Sequence, residues 1–340
     1  MGIGAALGRR AGETACPTMD PPAALPESDK LKAVMKRFSS LAVAICLLPG
    51  AMLAANPFVG RWDITVKAGN ATFPDWLEVV DNSGTMQVRY QPRGGSVRPI
   101  SQARIEGDHL ILTIAPGGKQ GPNIWDLTVT GDQIAGAQKV GPRETAQLSG
   151  VRAPKLDRKM PKKWSKPEPL FNGKDLTGWE PDHPEINHWV AKDGELLNES
   201  KGANLRGTRK FDDFKLHVEL NCPQNGNSGV YLRGRYEMQV EYEDNPEDNY
   251  HSMGSIYGMV AVSQVLPKTP GQWETFDVTF VGRRVTVVRN GVKIIDNQEI
   301  AGITGGAIDA NEGEPGVFYI QGDHTGGMKY RNITISVPKK

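Results

Sequence analysis

Asn227-Ser228-Gly229-Val230-Tyr231-Leu232-Arg233-Gly234-Arg235-Tyr236-Glu237-Met238-Gln239-Val240 reads as a strand, a tight Arg-Gly turn and a return strand. The return strand carries Arg235, Glu237 and Gln239 at period two, so their side chains are expected on one face of a sheet. A cation, a carboxylate and a carboxamide make a poor core surface. They suit the floor of a cleft that binds sugar, or simply the wet face that antiparallel sheets commonly have.

Working outward, the same alternation recurs along most of the chain. Between residues 56 and 152, strands are expected at 58–66, 76–80, 85–90, 104–106, 109–115, 125–130, 133–137 and 145–151, separated by turns such as Asn82-Ser83-Gly84, Gly107-Asp108 and Gly131-Asp132. Successive hairpins of this kind favour a small up-and-down barrel or a curled meander. Gly60-Arg61-Trp62 resembles the Gly-x-Trp opening of lipocalin-type barrels, with Trp62 expected to plug the core rather than touch a ligand. Residues 169–340 give about ten more strands, and Asn290-Gly291 marks the clearest hairpin among them. That number, joined by short and long loops, points to a two-sheet jelly roll. The chain is therefore expected to be all-β.

Between the two β regions, residues 153–168 interleave Lys155, Arg158, Lys159, Lys162, Lys163 and Lys166 with Pro154, Pro161 and Pro167. This composition reads as a semi-extended, solvated linker. Among 340 residues there are 39 Gly and 24 Pro, which fits a turn-rich β protein; a net charge of +1 gives no basic excess to recruit nucleic acid.

Residues 35–55 have the form of a secretory signal peptide: Lys36 and Arg37, an apolar run over 41–48, then Pro49-Gly50 and Leu53-Ala54-Ala55. The apolar run is short for a membrane span. Residues 1–34 carry no strand or helix pattern and read as a leader, with Met35 the expected start of translation. Of Cys16, Cys46 and Cys222, only Cys222 lies beyond the expected cleavage point, so the exported protein would hold no internal disulfide. Export to the periplasm or the medium is the expectation.

The motif Pro169-Leu170-Phe171-Asn172-Gly173-Lys174-Asp175-Leu176-Thr177-Gly178-Trp179 resembles the opening of the 3-keto-disaccharide hydrolase domain family. The likeness continues through Asn227–Arg233, Tyr236–Gln239, Gly254-Ser255-Ile256-Tyr257-Gly258, Trp273-Glu274-Thr275-Phe276-Asp277, Asn290-Gly291-Val292, Gln321-Gly322-Asp323-His324 and Tyr330-Arg331-Asn332-Ile333. It covers the C-terminal half only. The chain departs from the family pattern at Tyr242, where an Asp is frequent, and in a longer Gln-Gly-Asp-His-Thr-Gly-Gly tail.

The resemblance implies a bacterial exported domain with a concanavalin-like lectin/glucanase jelly roll that cleaves glycosides already oxidised to a ketone at carbon 3. A ketone there acidifies the proton on carbon 2 and makes the glycosidic oxygen a β leaving group. A site for such chemistry needs a base, a stabiliser for the enolate and a proton donor to the leaving oxygen. Glu237 is the candidate base and His324 the candidate donor or metal ligand. Arg235, Gln239, Tyr257 and Gln321 are the candidate sugar contacts. Most of them also have a plain structural reading: Arg235 and Glu237 as a neutralising pair, Gln321 at the end of a strand, Tyr257 in a core, His324 in solvent.

The acidic run 241–251 leaves room for a divalent metal, though its spacing fits no regular calcium loop and a solvated loop is the stronger reading. No nicotinamide-binding fingerprint is present, so a separate sugar 3-oxidoreductase is the expected partner. The alternative functions are a carbohydrate-binding module without catalysis, or a spacer built from two β domains.

Overall fold

The computed structural model describes residues 56–118, 121–242 and 248–339. The leader, the signal-like segment and the centre of the acidic run lie outside them. Among the described residues no helix is long and apolar enough to cross a membrane, and a single 3-10 turn, Pro184–Ile186, interrupts an otherwise all-β chain.

Nine strands between Gly60 and Arg152 pair antiparallel with their sequence neighbours, and the first (Gly60–Ala68) closes on the last (Arg143–Arg152). One break remains, between Arg98–Ile100 and Ala103–Glu106, so the barrel is nearly closed. Its interior is filled by side chains, among them Trp62, Ile64, Leu77, Val88, Leu110, Trp125 and Leu148. Trp62 donates its indole N–H to the Phe58 carbonyl at 2.8 Å, and the Arg152 guanidinium covers the ring at 4.2 Å; the Gly-x-Trp residue is a core plug. The turn after Ala71–Asn82 runs through Ser83 and Gly84, both with positive φ, as the twist of a two-residue hairpin demands.

Residues 168–336 form two sheets packed face to face. The larger has eight strands and the smaller five, in the order Trp179–Pro181, Leu205–Phe211, Gly316–Ile320, Asn227–Leu232, Tyr236–Glu241. Their shared core includes Trp189, Leu205, Phe214, Val230, Tyr236, Met238, Phe276 and Tyr330. Asn290 and Gly291, with φ of 49° and 77°, make the expected hairpin between Arg289 and Val292. The strand Leu205–Phe211 escapes sequence reading because Arg206, Thr208, Arg209 and Lys210 break its apolar alternation and its register shifts midway.

The basic linker is extended but is not a free hinge. Trp164 bridges to Pro338, Ser165 N–H bonds the Val337 carbonyl at 2.8 Å, and Arg158 pairs with Asp212 and Asp213. Apolar Trp164 and the paired Arg158 supply the anchoring that a purely solvated stretch would lack.

The barrel and the jelly roll share buried surface. Strand Ala71–Asn82 is buried on both faces from Pro74 to Val79, because Trp76 points out of the barrel onto Ile303, Ala307 and Ala310. The indole lies so close over Gly302 that a Cβ there would come within 2.3 Å of it.

Candidate functional site

The hairpin of strands Asn227–Leu232 and Tyr236–Glu241 forms the floor of a large cleft. Tyr231, on one strand, stands opposite Glu237 on the other, and Gly229 stands opposite Gln239. Val230, Tyr236, Met238 and Val240 point the other way, into the core. Alternation thus puts Tyr231, Glu237, Gln239 and Glu241 on the cleft face, and all four line it. Gln321, Asp323 and His324 follow the neighbouring strand Gly316–Ile320 and complete a hollow of about 550 Å³.

Tyr236–Glu241 is the last strand of its sheet, yet its outer edge is covered. Glu237 N–H donates to Thr304 Oγ1 at 2.9 Å, Tyr257 N–H to the Glu237 carbonyl at 3.0 Å, and Gln239 N–H to the Ser255 carbonyl at 2.9 Å. These bonds satisfy an exposed ladder edge and carry the Gly-Ser-Ile-Tyr-Gly segment to the cleft. Tyr257 lines the rim, its ring edge-on to His251 at 4.9 Å.

Glu237 is only 4% exposed. Burial pushes its carboxyl up to about 8, against the opposing pull of a hydrogen bond from Tyr231 and the nearby charge of His324. The Tyr231 hydroxyl also faces the Gly305 carbonyl at 2.9 Å and accepts from Gln321 Nε2 at 3.0 Å, so its one proton is shared between Gly305 and Glu237. His324 Nδ1 meets Asp323 Oδ1 at 2.6 Å. That hydrogen bond raises the imidazole above its ordinary value and leaves Nε2 as the nitrogen for a substrate.

Gln239 and Gln321 contribute acceptors. Gln239 spends its amide nitrogen on Glu241 Oε2 at 2.5 Å, and Gln321 spends its own on Tyr231. The oxygens Gln239 Oε1 and Gln321 Oε1 are buried and meet no donor among the described residues. Buried acceptors of this kind are costly unless something donates to them.

Arg235, expected on the same face, does not reach the cleft. It stands in the turn before the strand begins at Tyr236, with Nε held by Asp309 Oδ1 at 2.6 Å and Nη1 by the Glu314 carbonyl at 2.7 Å. Period-two alternation holds inside a strand and fails at the turn. Five of the six expected site residues, Glu237, Gln239, Tyr257, Gln321 and His324, therefore converge, and Arg235 is structural.

Tyr242 lies at the end of the same hairpin, where its hydroxyl bonds Glu274 and accepts from Arg289 Nη2 at 2.6 Å. The middle of the acidic run is outside the described residues; among those described, no group of three or more His, Cys, Asp or Glu is placed to hold a metal.

Tyr231 and Asp323 were legible but passed over: Tyr231 is the cross-strand partner of Glu237 counted back through the turn, and Asp323 precedes His324. The barrel's contribution had no sequence signal. Gly94 and Gly95 form one wall of the cleft. Gly306 N–H bonds the Arg93 carbonyl at 2.8 Å, and Gly305 abuts the Gly95 backbone so tightly that a Cβ would lie 2.3 Å from its carbonyl oxygen.

Residues 166–336 match the family described as the 3-keto-alpha-glucoside-1,2-lyase-like domain. The chain belongs to that family. The family expected from the quoted motifs is the one matched, and the barrel lies outside the matched region. Similar solved structures include a protein of Parabacteroides distasonis ATCC 8503 provisionally named a glycosyl hydrolase, 28% identical over 50% of this chain and 83% of its own, with a TM-score of 0.44. A second such protein from the same organism is 23% identical over 50% and 98%, with a TM-score of 0.40. No curated protein matches the chain.

Proposed function

We propose that this is an exported enzyme, periplasmic or extracellular, that cleaves 3-keto-glycosides. In this reading Glu237 takes the proton from carbon 2 of the sugar, and electrons move toward the carbon 3 ketone. The enolate then expels the aglycone from carbon 1, with His324 Nε2 giving its proton to the leaving oxygen. Water adds across the resulting double bond to give the 3-keto sugar. With Arg235 outside the cleft, the Tyr231 hydroxyl beside Glu237 would serve the enolate oxygen by turning its one proton from Gly305 and Glu237 toward it. A base near 8 is strong enough to remove an activated carbon-bound proton, at the cost that about a tenth of it is ionised at neutral pH.

The observation that carries the reading is the pair of unpartnered, buried carboxamide oxygens, Gln239 Oε1 and Gln321 Oε1, flanking Glu237 in the cleft. They ask for hydroxyl donors, and a sugar offers several. The family description supports the 3-keto substrate. A separate sugar 3-oxidoreductase would supply it.

The test is release of a chromogenic aglycone from a 3-keto-glucoside by the protein, its Glu237→Gln variant and an EDTA-treated sample. Release that disappears in the variant supports the reading, and loss with EDTA adds a metal ion. Saturable sugar binding without release, unchanged in the variant, would instead make the domain a carbohydrate-binding module.

A further inference from the structure

The loop that the barrel lends to the cleft carries Ser96, and Ser96 Oγ lies 2.6 Å from His251 Nε2. On the other side of the ring, His251 Nδ1 lies 2.7 Å from Asp248 Oδ2. The carboxylate fixes the tautomer: Nδ1 carries the proton, and Nε2 is the acceptor facing the hydroxyl. Asp248 is itself held, its Oδ1 accepting the N–H groups of Tyr250 and His251 at 2.7 and 2.9 Å. The imidazole is further fixed by the Tyr257 ring.

A nucleophile within reach of a base, and the base oriented by a third group, is the arrangement that activates a serine. The chain order, Ser, Asp, His, is immaterial, since such sets are recognised by geometry. Ser96 and His251 are half-buried rather than sealed, and His251 and Asp248 line the cleft.

The loop around Ser96 is pinned by its carbonyls. Gln91 Nε2 donates to the Pro92 and Gly95 carbonyls, each at 2.8 Å, and Gly306 N–H to that of Arg93. The N–H groups of Gly95 and Ser96 donate to no other group among the described residues. A nucleophile's own N–H and an adjacent one are the donors that acyl-transfer sites aim at the oxyanion.

We propose that Ser96, His251 and Asp248 form a second catalytic centre, at the junction of barrel and jelly roll, that hydrolyses small carboxylic esters. His251 Nε2 takes the hydroxyl proton as Ser96 Oγ bonds to the ester carbonyl carbon. The carbon–oxygen bond to the alcohol breaks, and the alcohol leaves with the proton from His251. Water, deprotonated by the same nitrogen, then attacks the acyl-serine and releases the acid, returning Ser96 to its starting state. None of these residues belongs to the acid–base set around Glu237, so the proposal stands whether or not 3-keto-glycosides are the substrate.

The experiment is reaction of the whole protein with a fluorophosphonate, read by peptide mass spectrometry, together with hydrolysis of p-nitrophenyl acetate. The expected result is one adduct on Ser96 per chain and measurable hydrolysis. Both should fall by on the order of 100-fold or more in His251→Gln and Asp248→Asn variants, with thermal melting recorded for each to confirm folding. If Ser96 in the wild-type protein stays unmodified, or its labelling is the same in a folded His251→Gln variant, the trio is only a tie between the two β regions and the proposal fails.

Discussion

The Glu237 side chain lies diagonally over Gly229. A Cβ built on Gly229 would stand 2.3 Å from Glu237 Oε1 and 2.8 Å from its Cγ, so the absence of a side chain on one strand makes the berth for the carboxyl on the next. Gly229 has no left-handed backbone to protect; its role is the space above it. Gly229→Ala should therefore leave the sheet intact and swing the carboxyl away. We expect aglycone release to drop by about 100-fold, with the melting temperature and circular dichroism little changed, measured side by side on purified protein.

The pH dependence follows from the ionisation of Glu237. In the proposed role of base, Glu237 must lose a proton that burial retains up to about 8. Activity (kcat/KM) should rise roughly tenfold per pH unit on the acid side and level off near 8. It should fall again where His324, raised by Asp323, loses the proton it donates. Asp323→Asn removes that support and should draw the alkaline fall to lower pH; because the Asp323 charge also helps to raise Glu237, the acid limb should move to lower pH as well. A full profile of both proteins checks this.

A second buried carboxyl governs stability. Asp63 points from the barrel toward Glu312 of the jelly roll, and burial with that like-charged neighbour raises its pKa far above the ordinary carboxyl value. In the unfolded chain Asp63 ionises near 3.8, so its favourable contribution is complete below that pH. It is lost progressively as pH rises toward the folded-state value. Unfolding free energy should thus fall with rising pH, with a slope approaching about 1.4 kcal/mol per pH unit for this one proton. Asp75, raised to about 7 by burial, adds to the same trend at lower pH. Asp63→Asn should flatten the alkaline part, as read by denaturant titration at several pH values.

Trp76 tests the junction. It fills no part of the barrel core and instead covers Gly302 and Ile303. Trp76→Ala should cost about 3–5 kcal/mol. Because the same loop carries Thr304 and Gly305 to Glu237 and Tyr231, activity should fall as well. A scan in which stability falls with no loss of activity would show that the loop holds its place unaided.

The positions of most strands and the cleft floor were legible because both depend on short-range rules: alternation, turn residues and motif spacing. Glu237 and Gln239 obey period two and appear where expected. Arg235 does not, because Arg233 and Gly234 bend the chain before the strand begins. The wall made by Gly94 and Gly95, the neighbours of Trp76 and the trio Ser96, Asp248 and His251 depend on contacts across more than 150 residues. No local pattern encodes such a meeting. Trp76 gave the nearest hint, as an aromatic residue on what a two-faced strand would show to solvent.

Gly95 and Gly305 touch backbone to backbone, one on each β region. Neither half can therefore drift freely in sequence while the other stands still: a methyl group gained at Gly305 would part the seam and widen the cleft at once. A barrel borrowed from another protein would have to bring a loop of matching thinness. Recombination and selection would handle the two regions as a single heritable unit, although only the second carries the family's signature.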